Sequence, residues 1–81
     1  MTFLKPGDLV TSMNRYTGAL SVSLDGKFLA SSALFNIERG EVCLVLKWME
    51  EYSNYLVLFP RSNKMALFSA DNLCLVVREE E

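Results

Sequence analysis

The sequence predicts an all-β fold, and three observations lead to that prediction. The chain has 81 residues, which is enough for one domain. Apolar residues make up 51% of it, too many for a disordered chain. Short runs of apolar and β-branched residues recur along it, and turn signals rich in Gly, Pro, Asp and Asn separate them. We therefore expect a small barrel or sandwich of about five to seven short antiparallel strands.

The first strand is predicted over residues 8–13. Pro6 and Gly7 precede it and favour a turn, because proline fixes φ and glycine permits conformations closed to other residues. Residues 14–18 then have the composition of a loop. They begin a long first connection over residues 14–40.

A hairpin over residues 20–32 is the first interpretation of that connection. Residues 20–24 alternate apolar residues with serine, and Asp25 and Gly26 form a dipeptide typical of hairpin turns. A two-residue turn would pair Val22 with Leu29, whereas a three-residue bulged loop would pair Val22 with Phe28. Both registers stay open at this point.

A helix over residues 28–39 is the competing interpretation. Its apolar residues recur at helical spacing, and Gly40 would serve as its C-cap. The hairpin is preferred, with room for one helical turn near residues 32–37.

Four further strands follow, each an apolar run bounded by turn signals: residues 41–48, 55–59, 64–68 and 73–77. The polar residues 49–54 connect the first two. Residues 60–63 form a turn with proline at an allowed position. Residues 69–72 have the composition of a short 3-10 turn.

The turn at residues 60–63 fixes the register of the strands around it. It places Phe59 opposite Lys64 and Tyr55 opposite Phe68. One face of this hairpin is purely aliphatic, and we predict that it faces the core: Leu56, Leu58, Met65 and Leu67. The other face is also too apolar for solvent.

The same two-sided apolar character extends over residues 42–48 and 73–77. In the first of these strands, alternation places Trp48 on the same side as Val42. A sheet with one solvated face alternates apolar and polar residues, and these strands do not. We therefore expect a cover for the second side, either the hairpin over residues 20–37 or another chain.

Four phrases follow one another along the chain: KPGDLV, GEVCLVLKW, YLVLF with KMALF, and SADNLCLV. Their order resembles that of SH3-like small β-barrels, of the kind common among small proteins of tailed bacteriophages. The resemblance covers residues 3–10 and 40–78, and implies a long first loop over residues 14–40. The aromatic pair of peptide-binding SH3 domains is not identifiable, so that function is not carried over.

The net charge of −2 comes from eight basic and ten acidic residues. Residues 79–81 are all glutamate, so we expect a short acidic tail after a single domain over residues 1–78. The basic residues are scattered, which disfavours nucleic acid as a partner. A nucleic-acid-binding barrel of the KOW or Sm-like type is the alternative function, and it would use Arg15, Lys27, Arg61 and Lys64.

Chemistry is disfavoured because the chain has no histidine, the usual general base and metal ligand. Cys43 and Cys74 lie in apolar runs, which predicts buried free thiols in a reducing compartment. No uncharged stretch reaches the ~18 residues of a membrane span. We expect no enzyme, metal, cofactor, small-molecule substrate or membrane contact, and a cytoplasmic location (host cytoplasm or virion if phage-encoded).

A non-enzymatic protein-interaction or structural module is the function that remains. It would act as a homo-oligomer or dock on a host or virion protein. Residues typical of protein interfaces gather between positions 48 and 68. The predicted contact surface is centred on the second face of the hairpin over residues 55–68, and its candidate residues are Trp48, Tyr52, Tyr55, Phe59, Arg61, Lys64 and Phe68.

Overall fold

The structure is a computed structural model that describes residues 4–25, 27 and 34–77. The all-β prediction is confirmed for these residues. The strands are β1 (Leu9–Ser12), β2 (Tyr16–Leu20), β3 (Leu34–Ile37), β4 (Val42–Met49), β5 (Asn54–Phe59), β6 (Lys64–Phe68) and β7 (Leu73–Val77). Two 3-10 turns, η1 (Glu50–Tyr52) and η2 (Ala70–Asn72), precede β5 and β7.

The strands form two antiparallel sheets. The larger has five strands in the order β6-β5-β4-β1-β7, and the smaller is the β2–β3 hairpin. Neither sheet closes on itself within the described part of the chain. The register predicted across the turn at residues 60–63 is confirmed over all of its pairs, from Phe59 with Lys64 to Tyr55 with Phe68.

The hairpin in the first connection differs from its prediction. Part of the predicted loop belongs to strand β2, whose Leu20 pairs with Leu34 of β3. The competing prediction of a helix over residues 28–39 is wrong over Leu34–Ile37, which is a strand. Buried Phe35 and Ile37 alternate there with exposed neighbours, as strand periodicity requires.

The two registers proposed for Val22 involve Phe28 and Leu29, which lie outside the described residues. Val22 itself forms an isolated bridge with Met65, and its N–H donates to the Met65 carbonyl at 2.9 Å. The acidic tail over residues 79–81 also lies outside the described residues.

The main core lies between the larger sheet and the hairpin. The aliphatic face of the β5–β6 hairpin was predicted to face the core, but it lies on the outer side of the sheet. The buried face carries Tyr55, Val57, Phe59, Ala66 and Phe68, the face that was expected to need a cover. The hairpin provides that cover, as one of the two alternatives predicted. Aromatic contacts hold the two layers together: the Phe35 and Phe59 ring centroids lie 5.6 Å apart, and those of Tyr16 and Phe68 lie 5.1 Å apart.

The aliphatic face of the β5–β6 hairpin lies on the opposite side of the sheet. Leu56 is fully buried there against Val22 and Met49, in a second and smaller cluster. Leu46, Met65 and Leu67 are partly buried around it. Segments of the same chain thus cover part of both faces, which accounts for much of the apolar excess in the sequence.

A β-bulge in β4 overturns the predicted alternation of that strand. Val45 pairs with Val57, and Lys47 pairs with Leu56, the neighbour of Val57 in β5. Leu46 is therefore an extra residue in β4 with no partner in β5. The side-chain direction reverses beyond it. Trp48 therefore lies opposite Tyr55 and does not share a side with Val42 as the sequence predicted.

Candidate interaction surface

Three of the predicted contact residues lie in the core. Tyr55, Phe59 and Phe68 are all buried in the main core. Their side chains are therefore not available at the surface of the folded chain. The face on which the contact surface was centred is an internal packing face.

Arg61 and Lys64 lie at the other end of β5 from Trp48. Arg61 is exposed in the turn after Phe59, and Lys64 is partly buried at the start of β6. Trp48 pairs with Tyr55, which lies about 14 Å from Phe59 at ~3.4 Å per residue. The structure does not bring these two basic residues together with the exposed aromatic residues.

Trp48 and Tyr52 are the predicted contact residues that present aromatic rings to solvent. Trp48 is 48% exposed and Tyr52 39% exposed. The Trp48 ring packs edge-to-face on the buried Tyr55 ring, with centroids 4.8 Å apart. The Tyr55 hydroxyl in turn accepts a hydrogen bond from the Leu4 N–H at 3.3 Å. Trp48 therefore rests on a fixed base while half of its surface stays open.

The connection between β4 and β5 completes this surface. Met49 pairs with Asn54 one position beyond the Trp48–Tyr55 pair, and η1 closes the hairpin there. Glu50 and Glu51 are exposed in this turn. Ser53 ends it in the left-handed conformation, at φ 52°, and its N–H donates to the Glu50 carbonyl at 3.2 Å. We call Trp48, Tyr52, Glu50 and Glu51 the Trp48 surface.

Other large apolar side chains are exposed at positions that were not among the predicted contact residues. Leu20 and Leu34 are register partners at one end of the β2–β3 hairpin. The remaining members are Met13, Leu24, Val42 and Val76. For the four of these residues that lie in strands, alternation was the available signal, but it requires knowing which face is the core. None of these side chains is aromatic.

Three of the four basic residues proposed for nucleic-acid binding face carboxylates. Arg15 Nε lies 3.6 Å from a Glu38 oxygen, Lys27 Nζ 4.0 Å from an Asp25 oxygen, and Arg61 Nη1 3.5 Å from Glu41 Oε1. The basic side chains in these contacts are largely exposed to solvent, so the contacts contribute little to the stability of the fold. They do reduce the positive potential that a phosphate backbone needs.

Glu41 is the one carboxylate of these pairs that is almost buried, with 5% of its side chain exposed. Its Oε1 accepts a hydrogen bond from the Glu38 N–H at 2.9 Å. Its Oε2 has no hydrogen-bond partner among the described residues. This carboxylate ties the turn before β4 to the turn after β5.

The two cysteines differ in environment. Cys43 is buried, as predicted, whereas Cys74 is exposed, so the prediction of a buried thiol is wrong for Cys74. Burial, together with the nearby negative charge of Glu41, raises the pKa of Cys43 to about 12. The thiolate of Cys43 is therefore suppressed at neutral pH.

We expect one fast-reacting thiol in the native protein at pH 8 and two after denaturation, measured with a chromogenic disulfide reagent. Cys74→Ser should remove the fast phase.

The raised pKa of Cys43 also makes the free energy of unfolding fall between about pH 8.5 and pH 12, because the unfolded chain releases a proton that the folded chain retains. Cys43→Val should reduce this slope, and two fast native thiols would contradict the assignment.

No family model, curated protein or solved structure matches this chain. Within the described residues, no helix is long and apolar enough to cross a membrane. Nor do three His, Cys, Asp or Glu side chains gather there as a metal site. The Trp48 surface is the part of the described structure that best fits a functional contact.

Proposed function

We propose that this protein is a non-enzymatic protein-interaction module that docks on its partner through the Trp48 surface. The observation that carries the proposal is a half-exposed tryptophan held on a buried tyrosine ring, with a second exposed aromatic residue, Tyr52, in the adjoining turn. Tryptophan is on average a highly buried residue in folded proteins. At interfaces, tryptophan and tyrosine are enriched among the residues that contribute most to binding.

We further propose that the fold is an SH3-like small barrel. The order of the larger sheet, with β1 between β7 and β4, supports this proposal. So does the 3-10 turn η2 directly before the last strand, and the hairpin inserted between β1 and β4. A phage origin, and a host or virion protein as partner, are proposed from the resemblance of the sequence alone. The alternative to docking on another protein is that two or more copies of this chain associate through the same surface.

Trp48→Ala should weaken partner binding by about 30-fold or more, since hot-spot truncations cost about 2 kcal/mol or more. Its effect on folding should be small because half of the side chain is exposed. The measurement compares immobilised wild-type and variant chains in capture from a bacterial lysate. Sedimentation velocity over a range of concentrations tests self-association in parallel.

Val42→Ala is the matched control, because Val42 is also an exposed apolar residue, 48% exposed, and lies at the opposite end of β4 from Trp48. It should leave captured partners and oligomeric state unchanged. A wild-type chain that captures nothing and stays monomeric, or a Trp48→Ala chain that keeps every wild-type interaction, would refute the proposed function.

A further inference from the structure

We infer that the Trp48 surface binds a basic segment of its partner, with a lysine or arginine side chain seated on the Trp48 ring and facing Glu50 and Glu51. This inference rests on the proposed function and specifies the partner's chemistry.

Glu50 and Glu51 carry charge that the described part of the chain does not compensate. Three other carboxylates, those of Asp25, Glu38 and Glu41, each face a basic side chain within 4.0 Å. No ion pair of this kind involves Glu50 or Glu51 among the described residues. Both are exposed, and their turn lies one register pair beyond Trp48 and Tyr55.

The nearest basic residues do not cancel this charge. Lys47 is next to Trp48 in β4, but neighbours in a strand point to opposite faces, and Lys47 lies opposite Leu56. Lys5 follows Leu4, whose N–H bonds to Tyr55, so it also lies at this end of the sheet. Among the described residues, neither lysine lies within 4.0 Å of a Glu50 or Glu51 carboxylate oxygen, so both carboxylates stay available to a cation of the ligand.

The exposed ring adds a second attraction for the same ligand. The face of an indole ring attracts a cation, and tryptophan is the strongest aromatic residue in this respect. Tyr55 fixes the position of the Trp48 ring from beneath, so little side-chain freedom is lost on binding. A cationic side chain is therefore favoured by the ring and by both carboxylates, whereas an acidic segment would be repelled by Glu50 and Glu51.

The experiment uses Trp48 itself as the reporter, because it is the only tryptophan of the chain. The full chain is titrated with three capped peptides of equal length, one rich in Lys and Arg, one rich in Glu, and one of Gly and Ser. The basic peptide should shift the Trp48 emission in a saturable way, and added salt should weaken the binding. The acidic and neutral peptides should give no saturable shift.

Two double variants separate a local effect from a general effect of charge. Glu50→Gln with Glu51→Gln should weaken binding of the basic peptide about tenfold. Asp25→Asn with Asp71→Asn removes the same number of charges from two exposed residues elsewhere and should leave binding unchanged. Circular dichroism checks that both double variants are folded.

The inference is overturned if the basic peptide gives no saturable shift up to about 1 mM, a level of weak affinity near −4 kcal/mol. It is also overturned if the acidic or neutral peptide binds as well, or if both double variants weaken binding equally. Failure of the proposed function looks different. If Trp48→Ala loses a captured partner that the Glu50 and Glu51 variant retains, the function stands and the basic ligand does not.

Discussion

Phe59→Ala is expected to lower the free energy of unfolding by about 3–5 kcal/mol, the usual cost of removing a buried phenylalanine ring. Phe59 is 0% exposed, and its ring contacts those of Phe35 and Phe68 at centroid distances of 5.6 Å. A chain of 81 residues has about 4–12 kcal/mol of stability at about 0.05–0.15 kcal/mol per residue. The variant should therefore be largely or partly unfolded, measured by urea denaturation followed by circular dichroism.

Phe59→Leu is the control, since it keeps most of the buried volume and should cost much less than the alanine variant. The pair also decides between a core role and a contact role for Phe59. The contrary outcome is a Phe59→Ala chain that unfolds at the wild-type urea midpoint but no longer binds a partner. That result would make Phe59 a contact residue and contradict its burial between the sheet and the hairpin.

The strands from β4 to β7 could be predicted because their signals are local. Each is a short apolar run bounded by polar or turn-forming residues, and the proline turn at residues 60–63 sets one register without ambiguity. The η2 turn was predicted in the same way from its polar composition. These features depend on neighbours within a few residues, which a single sequence contains.

The sidedness of the sheet could not be predicted because it depends on distant residues. Both faces of the β5–β6 hairpin are apolar, so alternation does not distinguish them. The choice is made by Phe35 and Tyr16, whose rings pack on Phe59 and Phe68 from an inserted hairpin. The bulge at Leu46 had no recognised sequence signal either, although it sets the direction of Trp48.

Only part of the candidate site could be predicted, because the exposure of a side chain also depends on residues that are distant in the sequence. The exposure of Trp48 and Tyr52 agrees with a contact role, since both close a solvent-facing end of the β4–β5 hairpin. Tyr55 belongs to the same aromatic run in the sequence but supports Trp48 from inside the core. Composition identified the aromatic cluster, but only the fold separates the rings that face solvent from those that hold them.

Leu56→Ala should lower the free energy of unfolding by about 2–4 kcal/mol, although Leu56 lies on the outer face of the larger sheet. Leu56 is 0% exposed and packs with Val22 and Met49. Leu58 is two residues further along the same strand and face, is partly exposed, and belongs to neither buried cluster. Leu58→Ala should therefore cost about 1 kcal/mol or less, because less apolar area leaves water.

This matched pair decides what covers the outer face. If the segment around Val22 covers Leu56 in solution, the two variants differ in urea midpoint, and Val22→Ala reproduces part of the Leu56→Ala loss, consistent with a shared cluster. If both leucines cost the same small amount, the segment does not pack there, and the aliphatic face is open to another chain. The first outcome means that residues around Leu56 are occupied by the chain's own core, which leaves the Trp48 surface as the better place for a partner.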